Sequence, residues 1–208
     1  MNSIRYKSLE FFIIFILVPV SFALNFSPWI KLVIGGIGFL YVVYVLLKVE
    51  NKKLKITPNI NWKLFWKETF VKGIIIAILT TLFVWITDKE ALFNVLLKKP
   101  KLWVFILFLY SLFSVFPQEL IFRTFYFKRY HNLFNNKGFL VFLNAIVFAL
   151  GHLFFKNSLV IILTFLGGLL FAFTYNKTHS TLLVSIEHAI YGCWLFTVGM
   201  GVMLGFPT

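Results

Sequence analysis

Charge is what this sequence has least of. Only 13% of its 208 residues are Asp, Glu, Lys or Arg, and just 7 are acidic. A soluble domain of this length covers its core with roughly 25% charged residues, so a wetted globular surface is excluded. Cysteine is scarce as well, and a single Cys cannot build an internal disulfide framework. The strongly polar composition of a disordered chain is also missing, as are internal repeats and low-complexity segments. What is present is apolar: 60% of residues are hydrophobic, 28 are Phe, and the mean hydropathy is +0.90. These proportions predict an all-α, polytopic membrane helix bundle, in which lipid takes the place of water.

Apolar stretches of helical length run over Phe11–Phe26, Leu32–Leu47, Gly73–Thr87, Leu102–Phe127, Gly138–Phe155, Ser158–Tyr175 and Thr181–Leu204, giving about seven spans. The run after Arg5 and Lys7 is followed by no small-residue cleavage site, so it reads as a retained first helix. The net charge of +13 would suggest nucleic acid in a soluble protein. Between hydrophobic spans, basic residues instead set orientation and meet anionic headgroups, so no nucleic-acid partner is expected. Most of them, including Lys48, Lys52, Lys53, Lys55, Lys63, Lys67 and Lys72 of the second connection, alternate onto the side of the N-terminus, which makes that side cytoplasmic. Trp62, Phe65 and Trp66 among those lysines, and the apolar set within Asp88 to Lys101, read as helices lying in the interface. Pro117 predicts a kink or break just before Gln118, because proline removes a backbone hydrogen bond and clashes with the preceding turn. Residues 1–101 read as an accessory part and residues 102–208 as the core that holds the chemistry.

Ionisable side chains inside a span are costly, so each is a functional candidate with a partner to be named. Three segments of this chain carry them. Glu119 and Arg123, four apart on one helical face after Pro117 and Gln118, have the spacing of an ion pair, which is either a structural neutralisation or part of a site. His152 follows Gly151, which permits close backbone approach. Glu187 and His188 are neighbours and diverge by about 100° around a helix, so at least one must face the protein interior. A carboxylate beside an imidazole can take a proton from water while a second imidazole stabilises the resulting oxyanion, which is the inventory of a buried hydrolytic site. The same set could hold zinc, but no span carries H-E-x-x-H, so the metal signal is weak and no cofactor is expected. Cys193 and Ser185 lie near His188 in sequence without the arrangement of a nucleophile.

In this order, the three segments resemble the signature of the CAAX protease and bacteriocin-processing family of intramembrane endopeptidases. Its E-E-x-x-x-R motif is matched by Gln118-Glu119 through Arg123, its F-x-x-x-H motif by Phe148 through His152, and its His-x-x-x-Asn motif by His188 with Gly192 at the Asn position. The resemblance covers about the second half of the chain. It implies that a glutamate and the second-motif His activate water, that the third-motif His and Asn stabilise the oxyanion, and that substrates are membrane-associated peptides, including prenylated C-termini. Gln118 and Gly192 depart from the pattern, since an amide cannot take a proton and glycine has no donor side chain. The residues offered as catalytic are Glu119 as base, His152 holding the water and His188 donating to the oxyanion. Arg123 tunes the glutamate, Glu187 is an alternative carboxylate, and Tyr191 or a backbone N–H is a substitute donor.

Drawn as straight spans, Glu119 and His152 lie about 12 and about 21 Å from the basic side at 1.5 Å per residue, too far apart for contact unless the helix breaks, tilts or extends. The function expected is hydrolysis of a peptide bond in a membrane-associated substrate, in a bacterial inner membrane. The alternatives are a non-catalytic scaffold or sensor that keeps the fold, and a small proton-coupled transporter, which would more often show repeated halves.

Overall fold

The computed structural model describes residues 1, 3–51, 60–134 and 136–205, and all regular structure among them is helical. Helix α1 covers residues 4–22, α2 Pro28–Val49, α3 Trp62–Thr87, the short α4 Asn94–Lys98, α5 Pro100–Tyr130, α6 Lys137–Leu150, α7 Ser158–Thr178 and α8 Thr181–Val198. Six of these, counting α6 with its extension to Phe155, are long and apolar enough to cross a membrane. The remaining long helix, α1, carries Arg5, Lys7 and Glu10 in its first half. Five helices start on a side-chain cap: Ser3, Asn61, Asn136, Asn157 and Ser180 each accept a hydrogen bond from a backbone N–H of the first turn. Such caps satisfy donors that no preceding turn can reach.

The apolar faces are turned outward as much as inward. On α3 the row Phe70, Ile74, Ile78 and Leu82 is exposed, and on α5 so are Phe105, Phe108, Leu112 and Phe113. Exposed apolar rows of this extent suit lipid. Inside, α8 packs against α3, α5 and α7. Indole donors stitch the contact: Trp103 Nε1 donates to Thr197 Oγ1 at 3.0 Å, and Trp194 Nε1 to Thr80 Oγ1 at 2.9 Å. Away from water such polar groups need a partner within the protein.

Several expectations change. The interfacial helix drawn around Trp62, Phe65 and Trp66 is the first part of α3, which begins eleven residues before the expected Gly73. Lys63, Lys67 and Lys72 therefore belong to a helix and not to an open connection; Lys52, Lys53 and Lys55 lie outside the described residues. Between Asp88 and Lys101 the chain forms a short turn and α4, whose Val95 is buried in a cluster with Ile106 and Phe196. The last helix stops at Val198, where Gly199 takes a positive φ of 110°. Pro117 does not break α5. The chain stays helical from Pro100 to Tyr130, with the backbone widened to π-type turns at Tyr110–Val115 and Leu120–Phe125. A wide turn absorbs the missing N–H and the bulk of the proline ring without ending the helix.

At one end of α5, Arg129 joins the two halves of the chain. It is fully buried, and its guanidinium donates to Glu10 Oε2 of α1 at 2.7 Å and to Glu50 Oε1, just after α2, at 2.9 Å. Tyr130 donates to the same Glu10 carboxylate at 3.0 Å, and Tyr41 of α2 donates to it as well. Phe11 and Phe15 of α1 pack edge-on against Tyr130 beside this cluster. Removing one member of a buried ion pair leaves the other uncompensated. Arg129→Met should thus destabilise the purified protein by about 3–5 kcal/mol, seen as a lower thermal unfolding midpoint in detergent, whereas Lys63→Met on the exposed start of α3 should leave that midpoint unchanged.

Candidate active site

The two wide turns of α5 flank Phe116–Glu119 and set the direction of its polar side chains. Tyr110, Ser114 and Gln118 recur every fourth residue and all line one cavity of about 500 Å³. Gln118 Nε2 donates to Ser114 Oγ at 2.8 Å, which leaves Gln118 Oε1 buried and without a partner among the described residues. Glu119, the next residue around the helix, is fully buried and is not on the cavity wall.

Glu119 is held from both sides. His188 Nδ1 lies 2.7 Å from Glu119 Oε1, and Arg123 Nε lies 3.4 Å from Glu119 Oε2, one turn along α5. Arg123 is fully buried too; its guanidinium rests 4.6 Å from the centre of the Phe148 ring, and its NH1 donates to the Phe122 carbonyl. A carboxylate only accepts, so His188 carries its proton on Nδ1 and turns Nε2 toward Tyr110 Oη, 3.1 Å away. Phe171 stacks on the His188 ring at 4.3 Å. The imidazole is thereby fixed in tautomer by the carboxylate and in tilt by the phenyl ring.

His152 reaches the same cavity from the end of α6. The helix stops at Leu150, and Gly151 lets α5 come close: a Cβ there would lie 2.8 Å from Phe122 Cζ. His152 Nδ1 lies 2.8 Å from the Phe148 carbonyl. A carbonyl can only accept, so Nδ1 is protonated and Nε2 keeps a lone pair. The Phe148 ring stands between the two imidazoles, 4.8 Å from His152 and 5.7 Å from His188. Among the described residues no hydrogen bond joins His152 to Glu119, the pair whose separation was estimated for straight spans; His152, His188 and Gln118 line one cavity.

Of the other candidates, Gly192 lines the cavity and Glu187 does not. Glu187 is buried but faces α3, where it accepts from Lys72 Nζ and from Tyr191 Oη, the latter at 3.0 Å. The divergence of Glu187 from His188 follows the helical angle, and neither faces lipid. Tyr191 Oη also reaches the Thr69 carbonyl at 3.0 Å, so that phenol is committed away from the cavity. Gly192 lines the cavity, as expected of a residue one turn after His188. Cys193 lies 3.5 Å from Ser111 Oγ and beside neither imidazole. Sequence reasoning missed Lys72, counted as an orientation charge, and Tyr110, which it did not single out. The four-residue spacing of Tyr110, Ser114 and Gln118 is the signal that points to the second.

The Glu119 and Arg123 charges are buried on each other's account. Glu119→Leu and Arg123→Leu should each destabilise the protein strongly, while the double variant should recover part of the loss; the coupling is expected at about 0.5–3 kcal/mol, measured as a double-mutant cycle of unfolding in detergent.

Among known families, residues 100–194, from α5 into α8, match the type II CAAX prenyl endopeptidase Rce1-like family. Neither the curated proteins nor the solved structures give a match. Six apolar helices together with this family make the chain an integral membrane protein. That match, from α5 into α8, is consistent with the CAAX protease and bacteriocin-processing family that its three motifs resemble.

Proposed function

We propose that the chain is an intramembrane endopeptidase in which His152 takes the proton from water and His188 stabilises the oxyanion. The observation that carries this reading is the pair of imidazoles on one cavity, each with Nδ1 committed to a different acceptor: a neutral carbonyl for His152, a carboxylate for His188. An imidazole whose Nδ1–H is held by a carbonyl offers a basic Nε2. An imidazole backed by a carboxylate is suited to carrying positive charge, as in other hydrolytic sites built on a carboxylate and a histidine.

In this mechanism Gln118 Oε1, buried without a partner among the described residues, accepts a hydrogen bond from the attacking water. His152 Nε2 takes the other hydrogen as the water oxygen bonds to the peptide carbon. The carbonyl electrons move onto oxygen, where His188, backed by the Glu119 carboxylate, offsets the developing charge. Collapse reforms the carbonyl and breaks the C–N bond, and the amine leaves with the proton held by His152. Glu119, the base expected from the motif, becomes the residue that positions His188, since one oxygen is spent on His188 and the other faces Arg123. Arg123 in turn balances Glu119.

Outside this polar end, the cavity walls are apolar, with Ile76, Leu79, Leu163, Leu166, Leu170 and Phe196 among them. A membrane-associated peptide bearing a long apolar chain, as in the prenyl substrates of the matching family's name, suits such walls. One observation favours a second reading: an amide stands at position 118, where a glutamate would take a proton, so the fold could bind such a peptide without cutting it.

The test is cleavage of prenylated peptides by the purified protein in liposomes. The wild type is expected to cleave, with His152→Ala and His188→Ala each lowering kcat by about 10²-fold or more, and a chelator is expected to leave the rate unchanged. Binding of the peptide with no cleavage by the wild type would favour the scaffold.

A further inference from the structure

We propose that Tyr110 is a catalytic residue of this site, its phenolic O–H donating to the oxyanion. The inference rests on the endopeptidase reading above and adds to it the group that touches the carbonyl oxygen.

The first observation is spatial. Tyr110 occupies the room that a side chain at position 192 would need: a Cβ built on Gly192 would lie 2.1 Å from Tyr110 Oη and 2.4 Å from its Cε1. No real pair of atoms tolerates such a distance, so Gly192 is the condition for this tyrosine rotamer and any larger residue would displace the ring. The missing side chain on α8 and the phenol reaching across from α5 are two parts of one arrangement.

The second observation concerns hydrogen bonds. Tyr110 Oη meets His188 Nε2 at 3.1 Å and has no other hydrogen bond among the described residues. When His188 is doubly protonated, Nδ1–H is given to Glu119 and Nε2–H to the phenol oxygen, which leaves the phenol hydrogen free to point into the cavity. Other hydroxyls on the wall are committed: Thr80 to the Ile76 carbonyl at 2.7 Å, Thr164 to the Val160 carbonyl at 2.7 Å, Tyr191 to Thr69 and Glu187. Ser114 Oγ accepts from Gln118 Nε2 and keeps its own hydrogen, but it is Tyr110 whose hydroxyl meets the His188 ring. Tyr110 is the wall hydroxyl that touches the imidazole, and a phenol whose oxygen accepts from an imidazolium is a stronger donor through its own hydrogen. Phe196 packs edge-on against the Tyr110 ring at 4.8 Å and holds it in place, so little reorganisation is needed when charge develops.

The experiment uses full-length protein in liposomes with a prenylated peptide. Tyr110→Phe removes one oxygen and keeps the ring, so the fold survives; kcat should fall about 10²–10³-fold, the range for loss of one oxyanion donor, with KM unchanged. Gly192→Asn should lower the unfolding midpoint by driving Tyr110 from its place, and adding Tyr110→Ala should restore it. If the wild type cleaves, His152→Ala is dead and Tyr110→Phe keeps its kcat, the tyrosine proposal is overturned while the endopeptidase reading stands. If Gly192→Asn is as stable as the wild type, the shared-space argument is overturned. Absence of cleavage by the wild type overturns both readings together.

Discussion

One buried carboxylate ties the polar half of this protein together. Glu119 has no contact with solvent, and its two oxygens face His188 on α8 and Arg123 one turn along α5. Neither Glu119 nor Arg123 is tolerable alone in so apolar a setting, and the contact of Glu119 with His188 joins α5 to α8. The orientation of His188 follows from that pair, and the direction of its Nε2 follows from its orientation. Tyr110, Gly192 and the polar end of the cavity are then arranged around a ring that has no freedom left.

The backbone of α5 makes this possible. A regular helix interrupted by Pro117 would bend or end. Here the chain widens on both sides of the proline, and the residues between the wide turns present Gln118 to the cavity and Glu119 to the interior. Wide turns of this kind recur at functional sites because they change which way a side chain points without ending the helix. The same device shapes the chemistry: an amide that can bind water but not deprotonate it faces the cavity, while the carboxylate is reserved for holding an imidazole. In the proposed mechanism proton transfer falls to His152, whose Nδ1 meets the Phe148 carbonyl.

Much of this was legible in the sequence where the physics is local. The apolar runs mark the spans, since few other arrangements can hide so many phenylalanines. The four-residue spacing predicts the Glu119–Arg123 pair, and adjacency predicts that Glu187 and His188 diverge. Nonlocal features stayed hidden. Lys72 reads as a loop charge until α3 is seen to extend back to Trp62 and bring it to Glu187. Glu119 reads as the cavity's carboxylate because a uniform helical period cannot anticipate two wide turns. Tyr110 is invisible to hydropathy, and its link to Gly192 depends on two helices that are distant in sequence and adjacent in space.

The central claim is that Glu119 holds His188, and through it Tyr110, at the place in the cavity where the carbonyl oxygen gains charge. It is tested most directly by a structure of the protein bound to a phosphonamidate peptide, whose tetrahedral phosphorus carries an anionic oxygen where the oxyanion would form. The account predicts that oxygen at about 2.7–3.1 Å from the Tyr110 hydroxyl or His188 Nε2, with His188 Nδ1 still on Glu119. A phosphonamidate bound with this oxygen away from both groups, or a His188 ring released from Glu119, would contradict it.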